Sequence, residues 1–169
     1  LPSGGAGMSG ARRGEVSLGF EPGAAPHAGL AFIGRIRSDW RAGDCPRNLR
    51  QARERGGGDA RAEIDAPYRP GLAGLAEGQW IWLLAWYGAK RRDLIVQAPA
   101  HADGPRGTFA LRSPVRPNPV TMQLVRITFL DREAGRLGLD ATDAYDGTPL
   151  LDIKPWLSGV DRPLDPDVA

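Results

Sequence analysis

The chain has 169 residues, 41% of them hydrophobic and 25% charged, with a formal net charge of +2 at pH 7. That length suits one domain with short tails and excludes two of full size. No apolar run is long enough to cross a bilayer, and the single cysteine, Cys45, excludes an internal disulfide and a thiolate metal site, so a soluble protein of a reducing cytoplasm is expected.

Residues 1–13 are rich in Gly, Ser and Ala without an apolar core, which predicts a disordered or appended leader rather than a secretory signal. Within it, Gly5-Ala6-Gly7-Met8-Ser9-Gly10 meets the G-x-G-x-x-G spacing. No strand precedes it and no helix follows, so it is excluded as a dinucleotide fingerprint. Val16 to Phe20 and Leu30 to Ile36 read as short strands. Asp44 and Pro46 then open a brief helix through Asn48, Leu49 and Ala52, and Gly56-Gly57-Gly58 stops it.

Ala62 to Ile64 predicts another strand, followed by a turn-rich passage at Pro67, Pro70, Gly71 and Gly74. The strongest apolar segment is Trp80-Ile81-Trp82-Leu83-Leu84-Ala85-Trp86-Tyr87. Its length and flanking glycines predict a buried central strand with three core tryptophans. Leu94 to Gln97, Thr108 to Leu111, Val120 to Leu130, Leu137 to Thr142 and Leu150 to Lys154 complete the strand set. Many short strands and one helix predict an all-β fold, a single small barrel-like domain over residues 14–158, with 159–169 as an acidic tail carrying Asp161, Asp165 and Asp167.

Basic residues cluster from Arg35 to Arg69 and at Lys90-Arg91-Arg92, a layout open both to an RNA partner and to an ordinary solvated surface. His27 and His101 lack neighbours at metal-ligand spacing, so no metal site is expected. Two segments carry more chemistry. Arg112-Ser113-Pro114-Val115-Arg116-Pro117-Asn118-Pro119 contains three prolines, which exclude a helix and predict a rigid, extended stretch. Alternation then puts Arg112, Arg116 and Asn118 on one side, suited to a carboxylate, a phosphate or a purine edge; the same spacing equally suits a rigid connection between strands. Asp146-Gly147-Thr148-Pro149 reads as a turn into a strand on which Asp152 and Lys154 share a face. They are either an exposed pair of little energetic weight or a carboxylate beside reacting groups.

In order and spacing these segments resemble the signatures R-S-P-F-R-P-N-P and D-G-T-P-x-x-D-I-K-P-Y of the TsaA/TrmO-like family. Ile33-Gly34-Arg35-Ile36-Arg37-Ser38 is similar to its opening strand, Cys45-Pro46-Arg47-Asn48 to a Pro-Arg-Gln-type triplet, and Gly71 to Glu77 with Trp82 to a further conserved-looking region, so the likeness spans about Leu30 to Trp156. The resemblance implies a dimeric β-barrel that binds S-adenosyl-L-methionine outside any Rossmann scaffold. It also implies methylation of N6 of threonylcarbamoyladenosine beside the tRNA anticodon. Carried over by position, the cofactor pocket draws on Pro46, Arg47, Asn48, Gly88, Ala89, Arg116, Asp146, Gly147, Thr148 and Pro149. Arg112 and Lys154 are candidates for carboxylate or RNA phosphate contacts, and Asp152 for the base, with water as the alternative. Tyr87-Gly88 stands where the family commonly has Phe-His, Ala102-Asp103-Gly104 where it has Gly-Gly-Asn, and Val120-Thr121 where it has Ile-Gly. A different RNA or small-molecule acceptor, or an RNA-binding barrel without catalysis, are the competing expectations.

Overall fold

Along the strand from Trp80 to Trp86 the odd positions Ile81, Leu83 and Ala85 are fully buried, while the even positions face outward. This strand belongs to a computed structural model that describes residues 10–24, 27–100 and 102–164. The remainder of the expected leader, the Gly5 to Gly10 spacing except Gly10, His101, and Asp165 and Asp167 of the expected tail lie outside the described residues. In chain order the elements are β1 (Val16–Ser17), β2 (Gly34–Arg37), α1 (Leu49–Glu54), β3 (Arg61–Ile64), β4 (Trp80–Trp86), β5 (Leu94–Gln97), β6 (Arg106–Gly107), β7 (Val120–Asp131), β8 (Arg136–Leu139), β9 (Thr148–Pro155) and α2 (Ser158–Asp161).

The chain divides into two units, the first from residues 1–29 and 88–119, the second from 30–87 and 120–169. The first holds an antiparallel sheet in the order β1-β5-β6. Its anchor is Asp93, which is 2% exposed and takes two hydrogen bonds from the Arg91 guanidinium at 2.7 and 2.8 Å. Those bonds hold the Asp93 carboxyl down at about 2.

The second unit is a closed antiparallel barrel in the order β2-β3-β8-β7-β4-β9. Closure removes unpaired sheet edges, and the interior of so narrow a barrel admits only medium and small side chains. Ile36, Ala62, Ile64, Ile81, Leu83, Ala85, Val125, Ile127, Leu137 and Leu150 fill it. Each large aliphatic side chain buried there contributes about 1.5–3 kcal/mol. Gly34 is required by the close approach of β2 to β3: a Cβ there would collide with the Glu63 carbonyl.

The three tryptophans of β4 are therefore not core. The period of two puts them on the outer face, Trp80 39% exposed and Trp82 and Trp86 half-buried. Thr108 to Leu111 is not a strand either. Thr108–Ala110 forms a 3-10 turn, because the buried Thr108 hydroxyl donates to the Leu94 carbonyl at 2.9 Å and accepts from Gln97 Nε2 at 2.9 Å. β8 stops at Leu139 rather than Thr142, since Asp140 turns its carboxylate onto the Arg126 amide at 2.7 Å. The N-cap of α1 is Asn48, whose Oδ1 accepts from the Gln51 amide at 2.9 Å, and not Asp44 or Pro46. The glycines do stop this helix: the Gly57 amide donates to the Ala52 carbonyl at 2.8 Å with φ of 82°.

Candidate functional site

At one end of the barrel β2 and β4 finish and β9 begins, and two loops are laced together there. The Ser38 hydroxyl, just past β2, donates to the Ala144 carbonyl at 2.7 Å, and the Ser38 amide donates to Asp146 Oδ1 at 3.2 Å. Trp40 Nε1 donates to the Thr142 carbonyl at 2.6 Å, with the Arg55 guanidinium 4.5 Å from the centre of the indole. The Cys45 thiol donates to the Asp143 carbonyl at 3.2 Å. Pro46–Asn48 and Asp146–Pro149, more than ninety positions apart in sequence, are thereby brought to the same rim.

The donors of the Asp146 turn are already engaged. The Asp146 amide donates to the Trp40 carbonyl at 3.1 Å, Gly147 to Ile36 at 2.8 Å and Thr148 to Tyr145 at 3.2 Å, and the Thr148 hydroxyl also bonds Tyr145 at 2.7 Å. Gly147 has a φ of 80°, which the turn demands and glycine supplies without strain. A ligand can therefore receive only acceptors from this turn. The Asp146 carboxylate is flanked by Arg37 at 3.3 Å and Arg41 at 3.8 Å.

Pro46 is buried, whereas the Arg47 side chain is exposed and has no partner among the described residues. The Asn48 carboxamide oxygen serves as the helix cap and leaves its NH2 for other use. Behind the rim, Gln123 is 2% exposed; its Oε1 accepts from the Thr142 hydroxyl at 2.7 Å, but its Nε2 has no acceptor among the described residues. A buried donor of this kind needs an acceptor, which an ordered water or a ligand supplies. Tyr87 closes the same end, donating to the Asp143 carbonyl at 3.4 Å. Burial, with Asp143, Cys45 and Tyr145 nearby, pushes its phenol far above the ordinary value, so it keeps its proton.

The other expected site residues are placed as follows. Gly88, Ala89, Arg112 and Arg116 belong to the first unit. The 112–119 segment is not a straight extended stretch with its basic groups aligned. It bends at Ser113, whose hydroxyl accepts from the Val115 amide at 3.2 Å, and Arg116 folds back to donate to the carbonyls of Leu111 and Ser113 at 2.9 and 3.2 Å. Gln97 Nε2 and Arg92 Nε hold the carbonyls of Val115 and Pro117 at 2.6 and 2.5 Å. Prolines remove backbone donors, so side chains from elsewhere in the unit satisfy these carbonyls and set the bends. Arg112 is exposed with no partner among the described residues.

Asp152 and Lys154 do pair, at 2.9 Å, 45% and 63% exposed, on the outer face of the barrel. Asp152 faces out because of a bulge opposite Leu84 and Ala85. Four residues of strand put it roughly 13 Å from Thr148. The structure does not bring this pair to the rim within one chain. Spacing missed Ser38, Trp40, Thr142, Asp143 and Gln123, the residues that build the rim. Ser38 alone left a sequence signal, as the polar residue ending Ile33 to Ser38.

The chain is similar to known proteins in sequence and in fold. Residues 35–162 match the family model described as tRNA-methyltransferase O N-terminal domain. The chain is 36% identical over 141 residues to the probable S-adenosyl-L-methionine-binding protein VirR of Rhizobium radiobacter, covering 82% of this chain and 76% of that one. It is 40% identical over 107 residues to a probable S-adenosyl-L-methionine-binding protein of Pyrococcus horikoshii, covering 60% of this chain and 75% of the relative. A crystal structure of TrmO from Pseudomonas aeruginosa superposes with a TM-score of 0.62 at 29% identity, covering 85% of this chain but 63% of the TrmO chain.

Proposed function

The chain belongs to the tRNA-methyltransferase O N-terminal domain family, and on that premise we propose that it methylates N6 of threonylcarbamoyladenosine in tRNA, using S-adenosyl-L-methionine held at the barrel rim. The observation that carries this reading is the convergence of Pro46–Asn48 and Asp146–Pro149 on one end of the barrel, with the unmet Gln123 donor behind them. The cofactor supplies a methyl group on a sulfonium centre together with an amino-acid carboxylate. The residues present fit it: Arg47 and the Asn48 NH2 offer donors for a carboxylate, and the Asp146 turn offers only acceptors, which suit a cation.

Rate acceleration at such a rim comes from positioning. Ser38 and Trp40 fix the Asp146 segment, so its acceptors need not reorganise during the reaction. Tyr87 orients the Asp143 carbonyl and, holding its proton, serves as a donor rather than a base. Solvent is the proton acceptor in this reading. In this reading Arg112, exposed in the first unit, and Lys154, on the outer face of the barrel, each meet RNA phosphates.

A second copy of the chain is the partner we propose for the outer face of β4 and β7, where Trp80, Val120 and Met122 are all exposed. Sedimentation should then give a dimer that Met122→Glu dissociates. No helix among the described residues is long and apolar enough to cross a membrane, and we place the protein in the cytoplasm on the strength of its lone cysteine. Calorimetry tests the cofactor reading: Arg47→Ala and Asp146→Ala should each weaken S-adenosyl-L-methionine binding about tenfold, the loss of one charge-assisted contact. Unchanged affinity in both would remove the rim from the site. Replacement of Phe-His by Tyr87-Gly88 favours, as a second reading, the same cofactor with another acceptor.

A further inference from the structure

On the side wall of the barrel, a cleft of about 350 Å³ runs over β3, β8 and β7, and none of its lining residues belongs to the rim. That volume falls at the lower end of small-ligand sites, roughly 300–1,000 Å³. Its floor is a β-bulge. β7 alternates inward at Gln123, Val125 and Ile127, and strict continuation would send Phe129 into the core. A register shift between Ile127 and Phe129 turns both Thr128 and Phe129 outward instead, leaving the Phe129 ring 52% exposed along the cleft.

Gly138 stands opposite Phe129, and a side chain there would meet Thr128 Oγ1 at 2.8 Å and Phe129 Cβ at 3.1 Å. Gly56, Gly57 and Asp59 line the cleft at another side. Gly56, Gly57, Gly58 and Asp59 run consecutively at positive φ, 85°, 82°, 78° and 45°, and Asp59 is the one non-glycine among the described residues in that region. Four successive left-handed residues fold the loop back beside the cleft, Gly57 and Gly58 lacking side chains where Asp140 and Trp40 pack against them.

The charged groups around this space are unevenly matched. Asp140 is held by Arg53 at 2.7 Å, and Asp59 by Arg61 at 2.8 Å, with Glu63 a further 3.6 Å partner of Arg61. Arg136, exposed on the same wall with Glu63 and Asp131 as its cross-strand neighbours, makes no ion pair or side-chain hydrogen bond among the described residues. An exposed aromatic face, a glycine beside it at Gly138 and an exposed guanidinium outside any ion pair together describe a ligand that is flat at one end and anionic at the other.

We propose that this cleft is a nucleotide-binding site, with the base stacked on Phe129, the sugar over Gly138 and the phosphate on Arg136. Stacking on an aromatic ring is tolerant of base identity, so the cleft takes a nucleotide by shape and charge rather than by sequence. Its chemistry is the same for a free mononucleotide and for one unit of a single-stranded RNA. It acts whether or not the rim holds a cofactor.

Calorimetry on the full chain, without S-adenosyl-L-methionine, tests this with adenosine 5′-monophosphate in one arm and a single-stranded ribotetranucleotide in the other. Saturable binding is expected in at least one arm, weakened about tenfold by Phe129→Ala and by Arg136→Ala. Both side chains are exposed, so both variants should keep the wild-type unfolding transition; Arg136→Ala decides the matter if Phe129→Ala does not fold. Tighter binding of the tetranucleotide assigns the cleft to RNA, and binding of the mononucleotide alone assigns it to a free nucleotide. Absence of saturation in both arms up to low millimolar ligand overturns the proposal. So does binding that neither variant weakens, or binding displaced by S-adenosylhomocysteine, which would place the ligand at the rim.

Discussion

Ser38 and Ala144 are joined by a hydroxyl-to-carbonyl hydrogen bond of 2.7 Å that spans 106 positions of sequence. It ties the end of β2 to the segment leading into the Asp146 turn, so one small polar side chain positions one of the segments proposed to hold the cofactor. Removing the hydroxyl leaves the Ala144 carbonyl buried without that partner. Ser38→Ala should cost about 1–3 kcal/mol in urea unfolding and weaken cofactor binding, whereas a purely local role would lower stability and leave affinity unchanged.

Gly34 faces a harder constraint. Because a Cβ there would strike the Glu63 backbone rather than a movable side chain, Gly34→Ala must part β2 from β3 or shift both. A loss of about 3 kcal/mol in denaturant unfolding is expected, in the upper range for overpacked sites. A change below about 0.5 kcal/mol would show that the barrel closes less tightly than described.

How much of this could be read from sequence depends on the kind of contact. β4 was legible because its length and aromatic content mark a strand. Its facing was not, because every residue from Trp80 to Tyr87 is apolar and the alternation leaves no polar trace. The Asp152 and Lys154 pairing was legible from a two-residue spacing, but the bulge that turns Asp152 outward is set by β4 across the ladder. The two rim segments entered through family likeness. What joins them, Cys45 to Asp143 and Trp40 to Thr142, is made by ordinary residues about a hundred positions apart, and no local pattern encodes such a meeting. Thr108 to Leu111 is illegible for a related reason: a short segment between turn signals suggests a strand, while the buried Thr108 hydroxyl decides its place.

The outward position of Asp152 makes a sharp prediction. An exposed ion pair contributes little, so Asp152→Asn should change stability by less than about 1 kcal/mol. With solvent taking the proton, it should also leave the methylation rate within about threefold of wild type, a barrier difference under about 1 kcal/mol. A loss of a hundredfold at unchanged stability would restore Asp152 as the base, acting at the rim of a second copy.

Acid should loosen the first unit in a defined window. The Arg91 hydrogen bonds and, less strongly, other local bonds hold Asp93 at about 2, against an ordinary value of 3.8. Because the folded value is the lower one, this stabilisation is complete above about pH 4 and is lost as pH falls through 2. Glu15, bonded to Arg12, behaves alike. All five tryptophans and all three tyrosines lie in the second unit, so fluorescence will not report the change. Hydrogen exchange of the β5 amides should accelerate below pH 4 relative to the barrel, after correction for intrinsic rates, and Asp93→Asn should abolish that pH dependence. Equal acid sensitivity in the variant would assign the effect elsewhere.

The central claim is that the rim formed by Pro46–Asn48 and Asp146–Pro149 serves methyl transfer to a modified adenosine in tRNA. Its most direct test is incubation of the chain with methyl-labelled S-adenosyl-L-methionine and tRNA verified to carry threonylcarbamoyladenosine, followed by nucleoside mass spectrometry. Label is expected on N6 of that nucleoside and is lost with Arg47→Ala and Asp146→Ala. No label above that found with tRNA lacking the modification would contradict the claim.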